Sequence, residues 1–326
     1  MQQLPKLSIK LLEELKTSKN LLAYSGGTDS NALFFILREY GIEFDIALVN
    51  YQTRDESDAE EKYAKELAST YHKQCFVHTC ELSKKNFEHH ARAERYTFFE
   101  KTIKDNAYDT LLTAHHLNDR LEWFLMQLGR GAGLVELLGM NELELSHGYK
   151  TIRPLLYVSK DEILAFLHGN AIKHFIDNSN TDESFKRNHI RAHYASSFIN
   201  EFKNGVKKSF EYLQEDSQSL IVKDIKQLKN LYILKRDVND VVNIRGIDKV
   251  IKRLGYLLSA AQRQEILKTK DCIISSQIAI CFGDDKIYIA PAKKATMDKK
   301  FKEVCRIAKI PAKIRPYMYA NNIPIL

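Results

Sequence analysis

Leu21-Leu22-Ala23-Tyr24-Ser25-Gly26-Gly27-Thr28-Asp29-Ser30-Asn31-Ala32-Leu33-Phe34-Phe35-Ile36-Leu37 runs from an apolar tetrapeptide, through two glycines, into a second apolar run that stops near Gly41. The first run reads as a buried strand and the second as a helix core, so the stretch between them is a strand–turn–helix. Gly26 and Gly27 let the backbone turn sharply and approach an anion with no Cβ in the way. The amides that open the following helix, with the hydroxyls of Ser25, Thr28 and Ser30, then point at phosphate. Asp29 adds negative charge to that site, which makes sense when a Mg²⁺ ion bridges it to the phosphates. A plain capped turn is the simpler alternative, but S-G-G-x-D-S fixes five positions and arises by chance about once in a thousand chains of this size. The chain has no G-x-x-x-x-G-K-[ST], and Gly129-Arg130-Gly131-Ala132-Gly133 neither has the G-x-G-x-x-G spacing nor follows a strand.

Outward from the loop, short apolar runs alternate with helical patterns. Phe44–Val49 reads as the next strand, and Ser57–Tyr71 as an amphipathic helix with Ala59, Tyr63, Leu67 and Tyr71 on one face. Cys75–Thr79 and Thr110–Ala114 are further strands, separated by a long helical stretch over Phe87–Ala107. This order predicts an α/β fold: a Rossmann-like parallel sheet with helices on both faces and ligands at the C-terminal ends of its strands. Beyond Gly133, Arg153-Pro154 is extended, Ser159–Glu162 is a capping box opening the helix Lys160–Leu167, and a helix is expected over Asn188–Asn200. From about Phe202 the chain reads as lysine-rich and helical, with a short helix at Leu257–Leu267. A β-hairpin is expected about Gly283. The expected domains are 1–204 and a basic, helical and α+β region, 205–326.

The 326 residues carry a net charge of +7, with 44% apolar and 28% charged side chains. No stretch approaches the roughly 18 apolar residues that span a membrane, and the N-terminus lacks a secretory pattern, so a cytoplasmic location is expected. Five cysteines with no C-x-x-C pair argue against a disulfide framework or a four-thiolate zinc site. The charge is uneven. Residues 201–326 hold 25 Lys and Arg against 14 Asp and Glu, which suits either a solvated surface or contact with a polyanion.

A second constellation, Ala114-His115-His116-Leu117-Asn118-Asp119-Arg120-Leu121-Glu122, falls at the end of the fourth strand and the start of its helix. Asp119 and Glu122 are three apart and share one helical face, with His115 one turn before Asp119. A solvated acidic face beside a core histidine is one reading, and zinc ligation is another. The position at a strand's C-terminal edge, in the sheet that bears the phosphate loop, points to an active site.

The loop resembles that of the N-type ATP pyrophosphatases. Taken with A-H-H-x-x-D-x-x-E, Arg130-Gly131-Ala132-Gly133, Arg153-Pro154-Leu155-Leu156, Asp177–Asn180, Arg187-Asn188-His189-Ile190-Arg191 and the arginine-bearing Ala91–Tyr96, the chain resembles the tRNA(Ile)-lysidine synthase family over residues 20 to about 195. The later blocks separate that family from GMP, NAD and asparagine synthetases. Residues 205–326 resemble its tRNA-binding part loosely. The resemblance implies a cytoplasmic ligase that forms a carbon–nitrogen bond, with ATP and Mg²⁺ at Ser25–Ser30 and Asp29 and His115 as catalytic groups. It also implies free L-lysine on Asp119 and Glu122, and Arg92, Arg95, Arg187 and Arg191 on the anticodon loop of an isoleucine tRNA or on phosphate. It is compatible with a homodimer and implies no membrane partner. Two departures stand out. Arg120 and Trp123 replace the family's usual Gln and Thr, and the second strand ends in Asn50-Tyr51-Gln52-Thr53-Arg54 where a histidine-bearing segment is usual. A base-thiolating relative and a catalytically idle RNA-binding protein are the rival readings. For the first, Cys75 and Cys80 are expected to be structural.

Overall fold

The computed structural model describes residues 4–52, 56–81, 87–146, 148–175, 185–220 and 224–325. Arg54 and the block Asp177–Asn180 lie outside them. The chain divides into two compact units, Met1–Leu213 and Gln214–Leu326. That division falls beyond the expected boundary near residue 205, within a helix.

In the first unit the elements run α1 (Ile9–Thr17), β1 (Asn20–Ala23), α2 (Thr28–Glu39), β2 (Phe44–Asn50), α3 (Glu56–Thr70), β3 (Cys75–Thr79), α4 (Phe87–Asn106), β4 (Thr110–Leu112), α5 (Leu117–Leu128), α6 (Leu134–Leu138), β5 (Leu143–Ser146), β6 (Tyr149–Ile152) and α7 (Lys160–Gly169). The sheet order is β3-β2-β1-β4-β6-β5, and every pair is parallel except β5 with β6. This is the expected α/β architecture, extended at one edge by a hairpin that the sequence pattern does not signal. Alternate residues of each strand feed opposite faces. Leu22, Ile46 and Leu112 pack with Leu33, Ile36 and Leu37 of α2, whereas Leu21, Ala47 and Leu111 pack with Phe99 and Ile103 of α4. Each fully buried Leu or Ile contributes about 1.5–3 kcal/mol relative to an exposed one. The chain leaves β1 toward β2 on one side and returns as β4 on the other, so the C-terminal ends of β1 and β4 flank the topological switch point, where such sheets bind ligands.

After α7, the helix expected over Asn188–Asn200 is interrupted. α8 (Lys186–Ile190) passes through a π-helical turn, Arg191–Ala195, into α9 (Ser196–Gln218), which is kinked at Phe202. Ala195, Ile199, Val206 and Phe210 bury one face of this run against Leu117 and Leu121 of α5.

In the second unit, the stretch read as helical opens instead on a hairpin, β7 (Ile225–Leu228) and β8 (Leu231–Lys235). Lys229 takes the positive φ (55°) that a two-residue hairpin turn needs, a conformation that its residue type does not advertise. α10 (Asp240–Arg253), α11 (Ala260–Thr269), β9 (Asp271–Ile274), β10 (Ile278–Phe282), β11 (Lys286–Pro291), α12 (Lys299–Ile307) and α13 (Arg315–Ala320) follow. The expected hairpin about Gly283 is β10–β11. The antiparallel sheet, ordered β7-β8-β11-β10-β9, is buried on both faces, by Ile247, Val250 and Ile266 on one and by Cys305, Ile314 and Met318 on the other.

Candidate active site

The loop Ser25–Ser30 joins β1 to α2 and is braced from within. Gly26 has a φ of +76°, and a Cβ there would stand 3.3 Å from Glu60. Ser30 Oγ accepts from the Ser25 amide at 3.2 Å and donates to Gly27 O at 3.1 Å. Asn31, fully buried, donates to Gly26 O and accepts from Tyr24 Oη at 2.7 Å. Phe175 adds an outside strut, its amide donating to Gly26 O at 3.2 Å. The first amides of α2 have no acceptor within the helix, and the helix dipole favours an anion beside them.

Two further helix N-termini meet this one. His116 caps α5, and its amide donates to Asp119 Oδ2 at 3.0 Å. α7 begins at Lys160, whose amide donates to Asn118 Oδ1 at 2.9 Å. Side chains tie the three together. Lys160 Nζ lies 2.5 Å from Asp29 Oδ1, and His116 Nε2 lies 3.6 Å from Asp29 Oδ2 and 3.5 Å from Asp119 Oδ2. Burial pushes the Asp29 carboxyl up, but His116 and then Lys160 outweigh it and hold its pKa below the usual value. Burial lowers His116, yet Asp119 and Asp29 together raise its pKa above that of free imidazole. The sequence reading singled out His115 and passed over His116. In a His-His doublet only the backbone decides which ring turns inward.

His115 itself bonds Thr113 Oγ1 through Nδ1 at 3.0 Å. Burial pushes its pKa down to about 4; Arg153, Arg187 and Arg92 add to the drop, and Asp119 opposes it. It is therefore neutral at pH 7 and a weak base.

The structure brings Asp119 and Glu122 together with Arg187 and Arg191, two groups that the sequence reading kept apart. Arg187 Nη2 donates to Asp119 Oδ1 at 2.6 Å and Arg187 Nε to Glu122 Oε2 at 2.8 Å. Arg191 donates to Glu122 Oε1 at 2.6 Å from Nε and to Oε2 at 3.1 Å from Nη2. Glu122 is fully buried. Burial raises the Asp119 carboxyl, but His116, then Arg187 and His115, and the His116 amide hold it far below the ordinary carboxylate range. On α4, exposed Arg92 lies 4.7 Å from the Tyr96 ring. Arg95 lies near Tyr51, whose phenol is raised mainly by burial, with Arg95 opposing.

The departures from the family pattern have structural places. Arg120 is fully buried between the rings of Tyr157 and Phe210, at 4.9 and 4.5 Å. The Trp123 indole donates to Glu136 O at 3.0 Å, over Gly139. Asn50 donates to Asp58 and Glu61 of α3 at 3.0 and 2.8 Å, bracing the end of β2. Cys75 and Cys80 are partly buried, and burial raises both thiols, Cys75 to about 11. Neither is a thiolate at neutral pH.

A PP-loop domain family matches residues 2–196. The tRNA(Ile)-lysidine synthase of Campylobacter jejuni (strain RM1221) is 45% identical, over 97% of this chain and 97% of that protein. That of Wolinella succinogenes is 43% identical, over 96% and 97%. Among solved structures, the U34-tRNA thiolase NcsA of Methanococcus maripaludis, with its [4Fe-4S] cluster, superposes with a TM-score of 0.51 at 18% identity, covering 64% of this chain and 76% of that one. At that identity the likeness is one of fold.

Proposed function

Because the chain belongs to the tRNA(Ile)-lysidine synthase family of PP-loop proteins, we propose that it joins free lysine to the wobble cytidine of an isoleucine tRNA in two ATP-driven steps. In the first, the 2-carbonyl oxygen of the cytidine bonds to the α-phosphorus of ATP as the bond to the bridging oxygen breaks and pyrophosphate leaves. In the second, the ε-amine of lysine bonds to C2, the C2–O bond breaks, and AMP leaves with that oxygen. The observation that carries this reading is the meeting of the phosphate loop after β1 with the A-H-H-x-x-D-x-x-E segment after β4, where Asp29, His116, Asn118 and Lys160 link three helix N-termini.

Ser25, Gly26, Gly27, Thr28 and Ser30 hold the phosphates through amides and hydroxyls. A Mg²⁺ ion that is bound mostly through phosphate oxygens needs only one or two carboxylates. Asp29 supplies one, and among the described residues no cluster of three or more metal-ligating side chains makes a dedicated cage. Asp29, exchanging its contact with Lys160, would hold such an ion, which would supply neutralisation of phosphate charge.

Asp119 and Glu122 take the ammonium groups of lysine. Arg187 and Arg191 balance the two carboxylates in the absence of substrate, so an incoming ammonium competes with a guanidinium for each. The nucleophilic amine must be neutral. With a pKa near 10.4, about one lysine in a few thousand is neutral at pH 7, a cost of roughly 4–5 kcal/mol. His115 is too weak a base to offset much of it, and His116 already favours its proton. A carboxylate keeps the ε-ammonium charged, so the reacting amine must leave Asp119 or Glu122 for a desolvated position beside the guanidiniums, where the charged form is disfavoured. A thiolation chemistry finds no low-pKa thiol in Cys75 or Cys80.

Asp29→Ala tests the assignment. Its side chain is one-third exposed, so the fold should lose about 1 kcal/mol or less, while tRNA-dependent release of pyrophosphate should disappear. Full release from a folded Asp29→Ala protein would remove the loop from the reaction.

A further inference from the structure

The run from α8 to α9 presents an aromatic face that the first unit's core does not use. Its inward face is occupied by Ala195, Ile199 and Val206. Outward stand Phe185, Tyr194, Phe198 and Phe202, each between 45% and 57% exposed, with the exposed rings of His189 and His193 among them. They form clusters. His189 lies 4.5 Å from His193 and 6.0 Å from Tyr194, and Phe198 lies 5.0 Å from Phe202. The π-helical turn Arg191–Ala195 is what lets residues five apart, His189 and Tyr194, share a face.

We infer that this face is a stacking platform for the unpaired bases of the tRNA anticodon loop. The inference rests on the proposed reaction for its partner and extends it by naming the surface. Four observations favour RNA over a second protein. The large apolar side chains exposed on the run are all aromatic, and every base has a π-face to offer them. Residues 185–208 carry six Lys and Arg against one acid, Glu201; Arg187, Arg191, Lys203 and Lys208 meet carboxylates, which leaves Lys186 and Lys207 to face a polyanion. Arg187 and Arg191 on the same run reach the carboxylates at the candidate active site, so a strand laid here leads to the reacting centre. The run from Phe185 to Phe202 spans about 25 Å at ~1.5 Å per residue, the length of about seven stacked nucleotides at ~3.4 Å each.

The test uses the full chain and a synthetic anticodon stem-loop of the isoleucine tRNA. A Tyr194→Ser/Phe198→Ser variant should bind the stem-loop about tenfold or more weakly, with the salt slope and the affinity for ATP unchanged. Tyr194→Phe/Phe198→Tyr should bind within twofold of the parent. In turnover, the serine variant should raise the KM for tRNA and keep kcat. Unchanged affinity in the serine variant would overturn the inference. So would a change in oligomeric state with affinity retained, which would give the face to a second copy of the chain. A parent protein that binds the stem-loop through these rings yet never incorporates lysine would overturn the reaction and leave the platform standing.

Discussion

Asp119 and Glu122 look alike in sequence and differ in place, which separates the outcomes of changing them. Both are buried, but Asp119 accepts one guanidinium bond, from Arg187, and its other oxygen takes the His116 amide. Asp119→Asn removes its charge and should raise the KM for lysine about tenfold to a hundredfold while tRNA adenylation continues. Glu122 is enclosed and accepts three guanidinium bonds. Glu122→Gln leaves two arginines short of their counter-charge, so roughly 2–4 kcal/mol of stability should go with it, the lower end reflecting their partial exposure. Thermal melting beside steady-state kinetics separates the two effects; equal melting temperatures with equal losses of activity would contradict the placement. His115 makes a pH prediction. Its pKa is near 4 in the fold against about 6.5 unfolded. Its contribution is therefore fully present above pH 6.5 and is lost as pH falls toward 4, by about 2–4 kcal/mol. His115→Gln should flatten the melting temperature between pH 6.5 and 4; an unaltered slope would mean that His115 is solvated. What sequence hid at this scale was partnership. Lys160 reads only as the first residue of a capped helix, and its contact with Asp29 joins positions 131 apart. Arg187 and Arg191 read as free phosphate ligands until folding sets them on carboxylates more than sixty residues earlier.

Among the elements, those with strong local signals were legible. The strand–loop–helix at Leu21–Leu37, the capping box at Ser159 and the hairpin about Gly283 each fold as the residues direct. The π-helical turn was not, because one inserted residue shifts the face without changing composition. The β5–β6 and β7–β8 hairpins are short strands whose stability comes from pairing, which no local period records. Gly139 offers a sharp test of element packing. Its φ is +57°, and a Cβ there would fall 1.9 Å from Trp123 Nε1. Gly139→Ala should therefore displace the indole, break its bond to Glu136 O and destabilise the protein by about 1–3 kcal/mol. Tryptophan fluorescence reads it directly, because Trp123 is the one tryptophan; an unshifted spectrum and melting temperature would contradict the packing.

At the scale of the whole molecule, the expectation is that the uneven charge serves tRNA binding. The first unit contains the proposed chemistry, and the basic second unit, with its own two-faced sheet, is the expected source of phosphate contacts. A chain ending after Gln218, which keeps α9 whole, should bind tRNA more weakly and with a shallower dependence on salt; equal affinity and slope would make the second unit's charge a solvated surface. The central claim is that one site activates a tRNA base with ATP and hands it to lysine. Incubating the full chain with isoleucine tRNA, ATP, Mg²⁺ and labelled lysine, and counting label in the RNA, tests that claim most directly. Label should enter the tRNA in a bond that survives deacylation by mild alkali, only when ATP is present, and with one AMP released per lysine. Unlabelled RNA from a folded, ATP-binding protein, or label lost on deacylation, would contradict it.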